Sequence, residues 1–108
     1  MSNKLSSFSS FSLVFAALLA SAAAQTLTIN PSPTIPAGGN ATVTYVDAAR
    51  AGQTIVVVAT GGYPVVDQNI VITLDAAGKG TKTWTAPTDW PSVTFTAPGC
   101  TAVRCTIQ

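Results

Sequence analysis

The most reactive side chains of this sequence are two cysteines in its closing segment, PGCTAVRCTIQ. Cys100 and Cys105 are the only cysteines, and the chain contains no histidine. The five residue steps between them cover about 16 Å in an extended strand, whereas a disulfide holds its Cα atoms about 4.4–6.8 Å apart. If Cys100 lies in a turn after Pro98-Gly99, the chain can curl back and close a small ring that contributes roughly 2 kcal/mol to stability. We therefore predict an intramolecular disulfide. One alternative is two free thiols, with Cys105 as a core residue, and the other is an intermolecular bond.

Acidic catalysis and metal binding are the next chemistries to consider. The spacing of the cysteines matches neither a CxxC redox motif nor a zinc site, and without histidine no Ser-His-Asp or Cys-His arrangement exists. The four acidic residues are all aspartates in turn-like contexts, where aspartate is favoured for local hydrogen bonding: Asp47, Asp67, Asp75 and Asp89. Calcium binding by two or three of them is the alternative, although their spacing matches no calcium loop. We predict a protein that is not an enzyme and that needs no cofactor and no metal.

Aromatic residues are the remaining candidates for a functional contact. Trp84 falls within a strand-like stretch and is expected in the core. Tyr63, between Gly62 and Pro64, and Trp90, between Asp89 and Pro91, fall in loops. Exposed aromatics on loops can stack on sugars or anchor a protein partner. The alternative is that these side chains pack the loops against the end of the domain.

The first 24 residues have the pattern of an export signal. Lys4 precedes an apolar run over residues 11–20, and Ala22-Ala23-Ala24 then provides an A-x-A cleavage site before Gln25. The run is about half of the roughly 20 residues that a membrane-spanning helix needs. We predict a signal peptide over residues 1–24, cleaved after Ala24, one domain over residues 25–108, and a secreted protein without stable membrane insertion.

Removal of that segment leaves a domain without net charge. Four basic residues, Arg50, Lys79, Lys82 and Arg104, balance the four aspartates of residues 25–108. Nucleic-acid binding requires a clustered basic face that displaces counterions, and four scattered cations do not supply one. The composition therefore excludes a nucleic-acid partner.

Short stretches of valine, isoleucine, threonine and aromatics, each closed by glycine, proline or aspartate, follow one another along residues 25–108. Such a series is typical of an all-β sandwich or barrel. The alternation predicts seven strands, over residues 25–30, 40–46, 53–60, 69–74, 81–86, 92–96 and 102–107. GGYPVVDQ is expected to form a connection or a short irregular edge, because proline cannot donate to a ladder. One face of each strand is apolar and the other is largely threonine, which predicts two antiparallel sheets packed apolar face to apolar face.

The succession AGGNATVTY, AGQTIVVVAT, NIVITLDAAGKGTKTW and APTDWPSVTFTAPG resembles bacterial immunoglobulin-like domains of exported and surface proteins. The resemblance covers nearly all of residues 25–108 and implies a seven-stranded immunoglobulin-like β-sandwich. Such domains act as spacers, adhesive modules and additions to enzymes, so the fold alone selects no role. Antibody-type domains carry one cysteine in each of two facing strands, a pattern that is absent here.

Two functional hypotheses follow from these observations. In the first, the chain is a standalone, non-catalytic binding or structural module of the cell envelope or extracellular space, whose loops or exposed strand edge contact a protein or polysaccharide. In the second, it is a secreted effector or inhibitor-like domain whose loops, with Tyr63 and Trp90, insert into one soluble target.

Overall fold

The structure, a computed structural model, describes residues 25–108; the predicted signal peptide lies outside the described residues. Eight strands and one short 3-10 helix follow one another along this part of the chain. Their bounds are β1 Gln25–Asn30, β2 Thr34–Ile35, β3 Asn40–Asp47, a 3-10 helix Ala48–Arg50, β4 Thr54–Gly61, β5 Val66–Thr73, β6 Lys79–Thr85, β7 Ser92–Thr96 and β8 Val103–Ile107. Within residues 25–108 no helix is long and apolar enough to cross a membrane.

The strands form two sheets, as the alternating pattern predicts. One sheet has three strands in the order β1-β3-β6, and the other has five in the order β2-β8-β7-β4-β5. All strand pairs are antiparallel except the short parallel pair of β2 and β8. Buried apolar side chains of both sheets form one shared core. The arrangement is consistent with a β-sandwich.

The expected number of seven strands is wrong, because β2 was not predicted. Its two residues, Thr34 and Ile35, lie between Pro33 and Pro36 and pair with Thr106 and Ile107. Two residues cannot display an alternating pattern, and their pairing partners lie more than seventy positions away in the sequence. Ile35 is nevertheless fully buried, so β2 contributes to the core although its strand signal is absent from the local sequence.

The GGYPVVDQ segment is also more regular than expected. β4 continues to Gly61, and β5 begins at Val66, which pairs directly with Gly61. The proline does not interrupt the ladder because Pro64 lies in the turn between the two strands. Asp67 consequently lies in β5 rather than in a turn, where its carboxylate accepts a 2.7 Å hydrogen bond from the Thr60 hydroxyl.

One end of the two-sheet structure is closed by a polar network around a buried tyrosine. The Tyr45 hydroxyl lies 2.8 Å from the Pro98 carbonyl oxygen and 3.3 Å from Oδ2 of Asp47. Asp47 is only 1 % exposed, and it accepts hydrogen bonds from the Ala49 backbone and from Arg50 Nε, both at 3.1 Å. Since a buried carboxylate is costly unless it is paired, this network ties the end of β3 to the turn that follows β7.

Removal of the Tyr45 hydroxyl is expected to weaken the fold. Tyr45→Phe leaves the part-buried Pro98 carbonyl and the buried Asp47 carboxylate without this hydroxyl, so the free energy of unfolding should fall by about 1–3 kcal/mol in urea titrations. Tyr63→Phe removes an exposed hydroxyl instead and is the matched control, expected to stay within about 0.5 kcal/mol of the wild type. Equal effects of the two substitutions would contradict this role of the network.

Candidate functional site

The exposed large apolar side chains of the described residues are confined to β4, β5 and the turn between them. They are Val56, Tyr63, Val65, Val66 and Val71. Val56 and Val71 pair with each other across the outer face of the five-stranded sheet. The other three lie at or beside residues 62–65, the turn that we call the hairpin tip. Concentrated apolar exposure of this kind is typical of a contact surface.

Trp90 packs the loop before β7 against the end of β4 and is only 7 % exposed. Its indole ring lies directly on the backbone of two glycines: a Cβ atom at Gly61 would come within 2.6 Å of the ring, and so would one at Gly62. The ring centroid of Trp90 is 6.0 Å from that of Trp84. Trp84 in turn meets Phe95 edge to face at 5.2 Å. Trp90 therefore continues the aromatic core to the hairpin end, and the packing alternative holds for this residue.

Tyr63 has the opposite environment, although the sequence placed it in the same class as Trp90. Its side chain is 89 % exposed, and Val65, two residues further, is 68 % exposed. The backbone that carries Tyr63 is constrained by Gly62, which has a φ of +85° and lies against the Trp90 ring. Only glycine adopts this φ without strain and also leaves room for the indole. The buried tryptophan thus supports the turn from which the exposed tyrosine projects.

An open depression of about 490 Å³ lies beside the hairpin tip. Tyr63 and Trp90 both line it, together with Thr88, Asp89, Pro91 and Gln108. The lining comes from the β2–β3 connection, the β4–β5 turn, the loop before β7 and the residues at the end of β8. The structure therefore brings the two sequence-predicted contact residues to one place, with Tyr63 as an exposed wall and Trp90 as a buried support.

The cysteines do not form the predicted ring: Cys100 and Cys105 are both free thiols. Cys105 faces the core from β8 with 1 % exposure, and its sulfur lies 3.9 Å from the Ser32 hydroxyl. Cys100 is half-buried in the turn before β8 and lies near Tyr45 and Asp47. β8 directs Cys105 toward Ser32, which follows the end of β1 opposite to the end that pairs with Asp47. The two sulfurs therefore have different surroundings. The alternative of two free thiols matches this structure.

Burial and the polar network raise the pKa values of two groups at the closed end. Burial raises the pKa of the Cys100 thiol above its usual value, and the nearby charge of Asp47 raises it further. The pKa of the Tyr45 hydroxyl is raised by burial first, and then by Asp47 and Cys100. Raised pKa values keep both groups protonated near neutral pH, so neither is an activated nucleophile.

The four aspartates have separate structural roles. Asp47 caps the 3-10 helix, Asp67 bonds across a strand pair, and Asp75 accepts the backbone N–H groups of Ala77 and Lys79 at 2.9 and 3.0 Å. These hydrogen bonds lower the pKa of Asp75, with the bond from Lys79 as the largest cause. Asp89 lines the depression. Within residues 25–108 no group of three acidic or cysteine side chains is placed to hold a metal ion.

The arrangement at the hairpin end has the features of a binding surface. It offers an exposed aromatic ring on a glycine-constrained turn, and beside it an apolar support, one side-chain carboxylate and polar groups from the loop before β7 and the end of the chain described. Comparison of this chain with protein-family models, with curated proteins and with solved structures finds no match.

Sequence reasoning missed the support beneath this surface. Gly61 and Gly62 belong to segments for which the sequence predicts only a connection or an irregular edge, whereas in the structure the Trp90 ring packs on their backbone. The glycine pair itself was the available signal, since two adjacent glycines at the end of an apolar strand indicate close approach of another group. The partner of that approach is about thirty residues away in sequence and was not visible locally.

Gly62→Ala is expected to lower the free energy of unfolding more than Gly52→Ala. Gly52→Ala is a matched control because Gly52 also has a positive φ, +75°, but has no neighbour within 4 Å of the added atom. Both substitutions should cost about 1–2 kcal/mol for the left-handed backbone. Gly62→Ala should cost about 1–3 kcal/mol more, because the added atom meets Trp90. Urea titrations measure the difference, and equal losses would contradict the packing of Trp90 on Gly62.

Free thiols at positions 100 and 105 are expected to react at different rates. In the native protein without reductant, brief alkylation followed by peptide mapping should label Cys100, more rapidly as the pH rises, because the thiolate is the nucleophile and its pKa is raised. Cys105 should be labelled only after unfolding, since it is buried. Two labelled thiols per denatured, unreduced chain are expected, whereas none would show that the two cysteines are bonded.

Proposed function

We propose that this chain is an exported immunoglobulin-like domain that acts as a non-catalytic binding module of the cell envelope or extracellular space. The observation that carries the proposal is the confinement of exposed large apolar side chains, among the described residues, to β4, β5 and the hairpin tip. Exposure of Tyr63 and Val65 to water is unfavourable for an isolated domain. A partner that covers them recovers this cost on binding.

The immunoglobulin-like assignment is supported by the order of the strands. In that fold the first, second and fifth long strands belong to one sheet, while the third strand and the last two belong to the other. The two sheets here, β1-β3-β6 and β2-β8-β7-β4-β5, match this order when the short β2 is treated as a continuation of β1 in the opposite sheet. β5 then corresponds to the additional edge strand of variable-type domains.

Export is supported by the sequence of residues 1–24, and a role without catalysis is supported by the side chains. The chain has no histidine, and all its acidic residues are aspartates. The thiol and the phenol at the closed end have raised pKa values. Neither Cys100 nor Tyr45 lines the depression at the hairpin end, where the exposed aromatic side chain is found, and Asp89 is the one side-chain carboxylate there.

The second hypothesis, an effector or inhibitor-like domain that inserts Tyr63 and Trp90 into one soluble target, has less support. Trp90 is buried against Gly61 and Gly62, so it cannot be inserted without disrupting the end of β4. Insertion would depend on Tyr63 and Val65 alone. The concentration of exposed apolar surface is common to both hypotheses, and the nature of the target distinguishes them.

Co-sedimentation of the purified domain (residues 25–108) with the insoluble envelope fraction of the producing cells tests the proposal. The wild type is expected to sediment with this material, and the double variant Tyr63→Ser, Val65→Thr should lose most of the binding. Val56→Thr, Val71→Thr is the matched control, because it removes two exposed apolar side chains from the outer sheet face and leaves the hairpin tip intact.

Loss of binding in the control alone would place the contact on the sheet face and contradict the proposed site. Failure of the wild type to sediment with any envelope material would contradict the binding-module proposal itself.

A further inference from the structure

We propose that the depression beside the hairpin tip is a subsite for an uncharged polysaccharide, in which Tyr63 stacks on one sugar ring. This inference rests on the binding function proposed above and specifies the chemical class of its ligand. A pyranose ring presents C–H groups on its faces and hydroxyl groups around its rim. A matching protein site needs an aromatic face bordered by hydrogen-bonding groups.

The lining of the depression meets this requirement. Tyr63 offers a ring that is almost fully accessible, and Thr88, Asp89 and Gln108 offer a hydroxyl, a carboxylate and an amide in the same depression. The hydroxyl and the amide can both donate to and accept from sugar hydroxyls, and the carboxylate accepts from them. Pro91 and the edge of Trp90 add an apolar surface. Mostly apolar sites with a few convergent polar groups are typical of small-ligand binding.

The charge of the residues that line the depression favours uncharged glycans over anionic ones. The residues that line the depression, all of them within the described part of the chain, include one carboxylate, Asp89, and no lysine or arginine. A uronic acid or sulfated sugar would bring a second negative charge close to Asp89, which is unfavourable. An uncharged sugar avoids this repulsion, and its hydroxyls can donate charge-assisted hydrogen bonds to the carboxylate.

The shape of the depression favours part of a long chain over a small free molecule. It has a volume of about 490 Å³, within the usual range for ligand sites, and it is open to solvent rather than enclosed. A polymer can therefore continue beyond the site into solvent.

The support beneath Tyr63 reduces the entropy lost on binding. The turn that carries it lies between two strands paired from Gly61↔Val66 to Thr54↔Thr73, and Trp90 packs on Gly61 and Gly62. The ring is thus presented by backbone that is already ordered before the ligand arrives. A rigid aromatic side chain on ordered backbone is the arrangement that binds with the smallest loss of conformational freedom.

Titration of the isotope-labelled domain with soluble hexasaccharides tests the proposal. The probes are cello-, chito- and laminari-hexaose, with polygalacturonate fragments as the anionic comparison, and binding is followed by two-dimensional NMR. We expect at least one neutral probe to shift the signals of Tyr63, Thr88, Asp89 and the Trp90 indole N–H. Anionic fragments should bind more weakly.

Variants identify the role of the ring. Tyr63→Ala should weaken binding of the neutral probe about tenfold or more, whereas Tyr63→Phe should retain most of it, because stacking requires the ring and not the hydroxyl. Val71→Thr, on the outer sheet face, is the matched control and should leave the affinity unchanged. A Tyr63→Ala variant that binds as well as the wild type would overturn the proposal.

The failure of this inference is distinguishable from the failure of the proposed function. If no neutral probe shifts the spectrum at millimolar concentration, while the domain still sediments with the envelope through Tyr63 and Val65, the ligand is not a glycan and the subsite proposal is wrong. Abolition of that sedimentation by protease treatment of the envelope would identify the partner as a protein. If the domain neither sediments with the envelope nor binds a probe, both proposals are wrong.

Discussion

The packing of the Trp90 indole on the backbone of Gly61 and Gly62 is the constraint on which the hairpin end depends. A Cβ atom at either glycine would lie only 2.6 Å from an atom of the Trp90 ring, so neither position accepts one without a shift of the ring or the backbone. The same ring contacts Trp84, so the turn is connected to the shared core of the two sheets. The end of β4, the direction of the turn and the position of Tyr63 all follow from this one contact.

The two ends of the domain are built by different physical means. At one end, Tyr45 and Asp47 form a buried polar network that reaches the Pro98 carbonyl, and this end is closed. At the other end, aromatic packing supports an apolar turn, and the depression remains open to solvent. Polar closure gives stability, whereas the open aromatic end leaves apolar surface for a partner. We therefore place the proposed binding function at the open hairpin end.

Much of the fold was predictable because most strands carry an alternating pattern of their own. β1 and β7 have the predicted bounds, β3 and β8 differ by one residue at one end and β4 by one residue at both ends, and β6 begins two residues early and ends one early. The prediction failed where the deciding partner is remote: β2 pairs with β8, and β5 begins three residues early because its ladder with β4 continues to Gly61. Local patterns contain no information about such partners.

The candidate site was predictable only in part. Tyr63 and Trp90 have similar neighbours in sequence, glycine or aspartate before and proline after, yet one is exposed and the other is buried. Their difference arises from tertiary contact with the glycine pair. The predicted disulfide is not present in the structure for a related reason: the direction of the Cys105 side chain is set by the register of β8 against β7 and not by its distance from Cys100 in sequence.

The packing of Trp90 can be measured directly by proton NMR on the folded domain. At each glycine, the α-proton that points where a Cβ would be lies against the indole ring. We therefore expect strong nuclear Overhauser effects from the Trp90 ring protons to the α-protons of Gly61 and Gly62, and ring-current shifts of these protons away from their values in an unfolded chain. Random-coil shifts and the absence of these Overhauser effects would contradict the account.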